Sequence, residues 1–214
     1  MEWAFLWVVG GWWAGGIMER LAAVTLQRVA PDPSLRPLSI RFLFPLGCAV
    51  GFTVICFVHT DTEERVIGCF LFLFLSAALL TDLWCRLIPD RLTIPAFFLF
   101  FLLRLVDGKA ASSLIGAFLC GGVLVLAAYL SGGGMGGGDV KLATAAGAAL
   151  GWPVAVVGLA LAIMLGGVVS TVLLLVGKVG RKTALPFAPF LLAGFLSAFL
   201  WGQMLADWYL SLLG

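Results

Sequence analysis

Residues 66–82 read VIGCFLFLFLSAALLTD, an uncharged apolar run of sixteen residues that ends on Asp82. Its length approaches the ~17–25 residues that a helix needs to cross the hydrocarbon of a bilayer. Comparable runs lie on both sides of it, at 3–25, 42–59, 92–106, 112–130, 140–151, 153–177 and 186–206. An open sheet edge in lipid would leave backbone groups unpaired, so each run is expected to be helical. The run 140–151 is too short to span alone. It reads as a half-helix joined to its successor through Gly151-Trp152-Pro153. The expected fold is all-α: a polytopic membrane helical bundle of about eight transmembrane segments, with seven or six as the smaller counts.

Composition requires the same solvent. Of 214 residues, 62% are apolar and 11% are charged, against about 25% charged in soluble domains. A soluble fold of this size has too little interior to hide that much apolar surface. The 27 glycines suit close contact between membrane helices. Trp3, Trp7, Trp12, Trp13, Trp84, Trp152, Trp201 and Trp208 sit mainly near segment ends, where an interfacial aromatic belt would lie. Four of the five cysteines (Cys48, Cys56, Cys69, Cys85 and Cys120) lie in apolar runs and read as small buried hydrophobes. No Cys-x-x-Cys pair is present, so neither a zinc site nor a disulfide framework is indicated. The start, Met-Glu-Trp, lacks the positive charge of a secretory signal, and residues 3–25 read as a retained first helix.

Charge placement sets the expected orientation. With the N-terminus outside, the inner side holds Arg20, Arg28, Arg36, Arg41, Arg86, Arg91, Lys141, Lys178, Arg181 and Lys182. The outer side keeps Arg65, Arg104 and Lys109. That is ten cations against three, the bias that cytoplasmic loops show. The acidic stretch 59–64 and Asp207 then fall outside. The longest polar stretch, 26–41, carries Pro31, Pro33 and Pro37 and reads as a linker. Without an internal repeat or a soluble insert, residues 1–214 are expected to form a single domain.

An acid at membrane depth costs roughly 2.5–3.5 kcal/mol on insertion scales, so such residues are functional candidates. Asp82 stands at the end of its apolar run, where a helix C-terminus disfavours a negative charge. Asp139 follows the glycine-rich stretch 132–138 and precedes Val140-Lys141-Leu142, in a position suited to an N-cap. Six glycines beside one acid suggest a place where another chain lies close against the backbone. Asp90, after Pro89, reads mainly as the cap of the next helix. A phosphate loop would need Gly-Lys-Ser/Thr after its glycines, and an acid there would repel phosphate. Asp82 and Asp139 both fall on the inner side. Two facing carboxylates in a poorly solvated site cannot both ionise cheaply, so they share a proton. The ionised member can then take a proton from water while its partner donates to a peptide carbonyl. The pair titrates as a unit. The single histidine, His59, falls on the opposite face, which leaves no Ser-His or Cys-His nucleophile.

Four stretches resemble the prepilin peptidase (type IV leader peptidase) family, within the Gly-x-Gly-Asp membrane aspartic peptidases. They are Asp82 through Pro89-Asp90; Gly136-Gly137-Gly138-Asp139-Val140-Lys141-Leu142; Ala148 to Trp152; and Leu185-Pro186-Phe187-Ala188-Pro189-Phe190. The resemblance implies an aspartic endopeptidase with Asp82 and Asp139 as the catalytic pair. Gly136, Gly138, Lys141, Asp90 and Pro89 would bind substrate or support the site. It implies substrates that are type IV pilin-like precursors, whose short basic leaders are cut after a glycine at the cytoplasmic face of a bacterial inner membrane. Membrane lipid is the other expected partner, and no nucleic acid is. Larger members carry a cytoplasmic domain with two Cys-x-x-Cys pairs between the first two helices. Here residues 26–41 occupy that place without cysteine. The larger members also N-methylate the new N-terminus. No metal or cofactor is expected, and S-adenosylmethionine would enter only with that second activity.

Two other classes compete. A proton-coupled transporter would place its acids near mid-membrane and often shows repeats; here the acids lie at one face and no repeat is present. A non-catalytic membrane subunit of a pilus or secretion system would keep the fold without cutting. Lys141, two residues past Asp139, should point away from it on a helix, and is expected to meet lipid phosphate or substrate.

Overall fold

The computed structural model describes residues 8–17, 20, 38–132, 135–177 and 186–213. Several expectations fall outside the described residues: most of the 26–41 linker, Gly133, Gly134, Leu185, Trp3, Trp7, and the inner-side cations Arg28, Arg36, Lys178, Arg181 and Lys182. Among the described residues every regular element is an α-helix: α1 (8–17), α2 (Leu38–Val58), α3 (Thr62–Cys85), α4 (Asp90–Val106), α5 (Ala110–Leu130), α6 (Gly137–Leu150), α7 (Val154–Leu175) and α8 (Ala188–Leu213). Within the described residues the apolar runs are thus helical, and α3 extends its run by four residues at each end. Four stretches, Thr62–Cys85, Ala110–Leu130, Val154–Leu175 and Ala188–Leu205, are long and apolar enough to cross a membrane; Phe44–Val58 is a shorter apolar helix. Phe57, Phe98, Phe118 and Leu175 are among many large apolar side chains left exposed, which suits a surface bathed in lipid. The chain is a multi-pass α-helical membrane protein.

Contacts group the helices into two units, Met1–Pro89 with α1–α3 and Asp90–Gly214 with α4–α8. In the first, α1 lies against α2 through two glycines one turn apart. A Cβ on Gly11 would sit 2.8 Å from the Cys48 carbonyl oxygen, and one on Gly15 would sit 2.9 Å from the Cys48 Cβ. Small residues at such a crossing let backbones approach, which is how helices associate where lipid removes the hydrophobic drive. α2 and α3 form an antiparallel hairpin across residues 59–61, with the Phe52 and Phe72 rings edge to face at 6.5 Å.

The second unit is built around α6. Its 14 residues rise about 21 Å, short of the ~30 Å hydrocarbon thickness. It is the half-helix that its length predicted, and from Ala145 to Leu150 it is buried throughout. A Cβ on Gly116 of α5 would meet the Gly147 carbonyl oxygen at 2.5 Å, so only glycine allows that crossing. Gly151, at φ 70°, ends α6, and the cis Trp152–Pro153 bond leads into α7. α7 and α8 pair through small residues as well: a Cβ on Gly194 would lie 2.5 Å from the Ala162 nitrogen.

A helix that ends inside protein must find partners for its last carbonyls. The Gly151 N–H donates to the Gly147 oxygen at 2.9 Å. Ser113 Oγ donates to the Ala148 oxygen at 2.8 Å, and Arg104 Nε to the Ala149 oxygen at 2.7 Å. Arg104 is only 5% exposed. This cation, counted on the outer side by the charge distribution, is thus enclosed in protein. Its guanidinium turns inward because the negative end of α6 and the Asp107 carboxylate, 3.7 Å away, compensate a cation there. Of the tryptophans expected in an interfacial belt, Trp12, Trp13, Trp152, Trp201 and Trp208 are exposed, whereas the Trp84 indole N–H is buried without a hydrogen-bond partner among the described residues.

Candidate functional site

Asp82 lies in the last turn of α3 in the first unit and is 7% exposed. The helix runs on to Cys85 and stops at Arg86, whose left-handed backbone (φ 50°, ψ 37°) returns its N–H to the Asp82 carbonyl oxygen at 2.8 Å. Thr81 beside it satisfies its hydroxyl within the helix, on the Ala78 oxygen at 3.0 Å. The acid is thus enclosed, although its neighbours Leu83, Arg86 and Leu87 are exposed. Ile88-Pro89 then break the helix, because a proline disfavours helical geometry in the residue before it, and α4 begins at Asp90.

Asp139 belongs to the second unit. It is not the N-cap expected from its place after the glycines. Gly136 is the cap residue, the helix begins at Gly137, and Asp139 is its third residue. Glycines enter a helix start easily when the following residues are anchored by packing, as Leu142 to Ala149 are here. The Asp139 N–H donates to the Gly136 oxygen at 3.1 Å. Its Oδ2 lies 3.3 Å from where a Cβ of Gly136 would be. The carboxylate therefore folds back over the cap, as an acid at the third position of a helix commonly does. There the exposed N–H groups and the helix dipole favour negative charge. Gly136 thus leaves room for that carboxylate, which gives one glycine of the run a physical role. Gly137 next to it has open space where a Cβ would be.

Lys141 forms an ion pair. Its ammonium donates to Asp90 Oδ1 at 2.6 Å, fifty-one residues away in the chain. The packing of α4 against α6 brings together the first turns of both helices. Asp90, read mainly as a cap, instead uses its carboxylate in this ion pair. Both side chains are about half exposed (47% and 57%). The structure therefore brings together Asp90 with Lys141, and Gly136 with Asp139. Arg104, counted among the outer-side cations, and Asp107, which the sequence reading did not single out, form a buried charge pair. The available signal was the position of Arg104 inside the apolar run 92–106.

These features define a class: a multi-pass helical protein with one acid enclosed at the end of a span and another in the first turn of a glycine-led half-helix. The sequence model of the Type IV leader peptidase family matches residues 69–171, which include both acids. A Prepilin leader peptidase/N-methyltransferase of Bacillus subtilis (strain 168) is 34% identical over 138 residues, covering 62% of this chain and 54% of that protein. One from Aeromonas salmonicida (strain A449) is 36% identical over 146 residues, covering 64% and 50%. One from Pseudomonas putida is 31% identical over 186 residues, covering 83% and 64%. Over this region the chain is similar to the Type IV leader peptidase family. It spans about half the length of the first two relatives and under two thirds of the third. No solved structure matches it.

Proposed function

We propose that this protein is an intramembrane aspartic endopeptidase that removes the short basic leader of type IV pilin-like precursors, with Asp82 and Asp139 as the catalytic pair. The observation that carries the reading is that one family match spans both acids, each at a helix end inside an otherwise apolar chain. The proposed site lies at the cytoplasmic face of a bacterial inner membrane, an orientation supported by the ten-to-three distribution of Lys and Arg. A precursor's basic leader would meet that face while its apolar helix stays in lipid.

In the mechanism, Asp82 and Asp139 share one proton between them. The ionised carboxylate accepts a proton from water as the water attacks the scissile carbonyl. The protonated carboxyl donates to the carbonyl oxygen, and the proton returns to the leaving amine as the tetrahedral intermediate collapses. Gly136 and Gly138 lie just before Asp139 in the chain and would let an extended substrate strand approach the backbone there. Pro89 starts α4 at Asp90, and the Asp90–Lys141 pair steadies the helix start that carries Asp139. The reaction needs no metal. Should the chain also methylate the new N-terminus, as the names of its relatives state of those proteins, S-adenosylmethionine would be the co-substrate.

The test is to express the chain in membranes with a pilin-type precursor and sequence the product's N-terminus. Cleavage after the glycine that precedes the apolar helix supports the reading. A wild-type protein that cuts no such precursor overturns it in favour of a non-catalytic subunit. Lys141→Met gives a graded check. Exposed ion pairs contribute about 0–1 kcal/mol, so cleavage should fall by no more than about fivefold. Complete loss would show that Lys141 touches the substrate or the reacting groups.

A further inference from the structure

The thiols of Cys56 on α2 and Cys69 on α3 lie within hydrogen-bonding reach of each other. The hairpin geometry places them there independently. In an antiparallel pair, residues that face one another have nearly constant number sums. Phe52 meets Phe72 and Gly51 abuts the same ring, sums of 124 and 123, which puts residue 56 opposite residue 68 or 67, within one or two positions of Cys69. α2 ends at Val58 and α3 begins at Thr62, so the two sulfurs lie close to the connecting loop. Cys69 is buried and Cys56 is half-buried, which leaves one of them accessible. The other cysteines are placed differently: Cys120 donates to the Ala155 oxygen at 3.5 Å, and Cys48 packs against Gly15.

The loop and the first turn of α3 carry Asp61, Glu63 and Glu64. Under the orientation set by the cations, this end of the hairpin faces the outside, where disulfides persist. We propose that Cys56 and Cys69 are joined by a disulfide that ties α2 to α3 at the outer end of the first unit. The oxidant is a protein or small-molecule disulfide of the extracytoplasmic compartment. The Cys56 thiol loses its proton and attacks one sulfur of the oxidant, releasing that oxidant's first thiol. The Cys69 thiol then displaces the second, forming the Cys56–Cys69 bond. Two protons and two electrons leave as two thiols of the reduced oxidant. A thiolate is costly among apolar side chains, so the half-exposed Cys56 is the one that reacts first. The Arg65 guanidinium lies near enough to interact with its charge, and is held over the loop by donating to the His59 oxygen at 2.7 Å. Because α3 also carries Asp82, the bond would steady the helix at the end opposite that acid. The inference rests on the orientation and is independent of the peptidase reading.

The experiment counts thiols. The full chain is expressed in a host with an oxidising extracytoplasmic compartment, its thiols are protected by acid at harvest, and the denatured protein is treated with maleimide-polyethylene glycol. Of the five cysteines, the wild type should take up three polymer chains without reduction and five after it. Cys56→Ala and Cys69→Ala should each take up four in both states, and peptide mapping should recover the segment bearing Cys56 joined to that bearing Cys69. Five chains without reduction in the wild type, or a crosslink between other cysteines, overturns the proposal. So does labelling of Thr60→Cys, in a background lacking Cys56 and Cys69, by an impermeant reagent only from the cytoplasmic side. None of these readouts involves precursor cleavage, so a failure here leaves the peptidase reading standing, and the converse also holds.

Discussion

Asp82→Asn and Asp139→Asn will each lower precursor cleavage by roughly 10²–10⁴-fold, the usual contribution of a positioned acid or base. Asparagine keeps the size and the carbonyl oxygen of aspartate but cannot hold or release a proton. Each change should leave the fold intact for a separate reason. Asp82 is enclosed at the end of a membrane-spanning helix, so removing its charge relieves a desolvation cost. Asp139 folds back over the cap of α6, and an amide oxygen can take the same place. Insertion into membranes and melting in detergent should therefore stay near those of the wild type. The double variant should be no worse than either single one, because groups that act as a unit are not additive. Normal cleavage by either single variant would show that the shared-proton mechanism is wrong.

The second large effect concerns stability at the other end of α6. Arg104→Met removes the donor to the Ala149 oxygen and the cation beside Asp107. The Asp107 side chain, 7% exposed, is left as a buried charge without compensation. Breaking a buried pair from one side costs about 3–5 kcal/mol, on the order of 10 °C in the melting midpoint for a chain of this size. Most of the cost is the stranded carboxylate. Adding Asp107→Asn to Arg104→Met should therefore recover part of the loss. Cleavage should fall with stability, since α6 holds Asp139 at its opposite end. A melting midpoint for Arg104→Met within a degree or two of wild type would mean that these contacts do not anchor the half-helix.

The helical class and the approximate limits of the described helices were legible because lipid offers the backbone no partner: an apolar run must bond within itself, and its length sets its reach. The half-helix was legible for the same reason, since Gly151-Trp152-Pro153 cuts the run short. Asp82 and Asp139 stood out because charge is scarce and costly in such a chain. The family match over 69–171 covers three of the four stretches that carried the resemblance, and Leu185 to Phe190 lies beyond it.

Other features depended on which helix faces meet. Lys141 finds Asp90 across fifty-one residues only because α4 lies beside α6 in one rotation. Arg104 turns inward rather than outward because the end of α6 supplies unpaired carbonyls. Asp139 moves from cap to first turn because packing of the alanine-rich helix extends it back to Gly137. Cys56 and Cys69 face each other through the register of the hairpin. Sequence rules act over the few residues that a backbone hydrogen bond or one helical turn connects. The rotation and approach of whole helices are decided by where small residues let backbones touch, as at Gly116 and Gly147, and that is settled only when all the helices pack together.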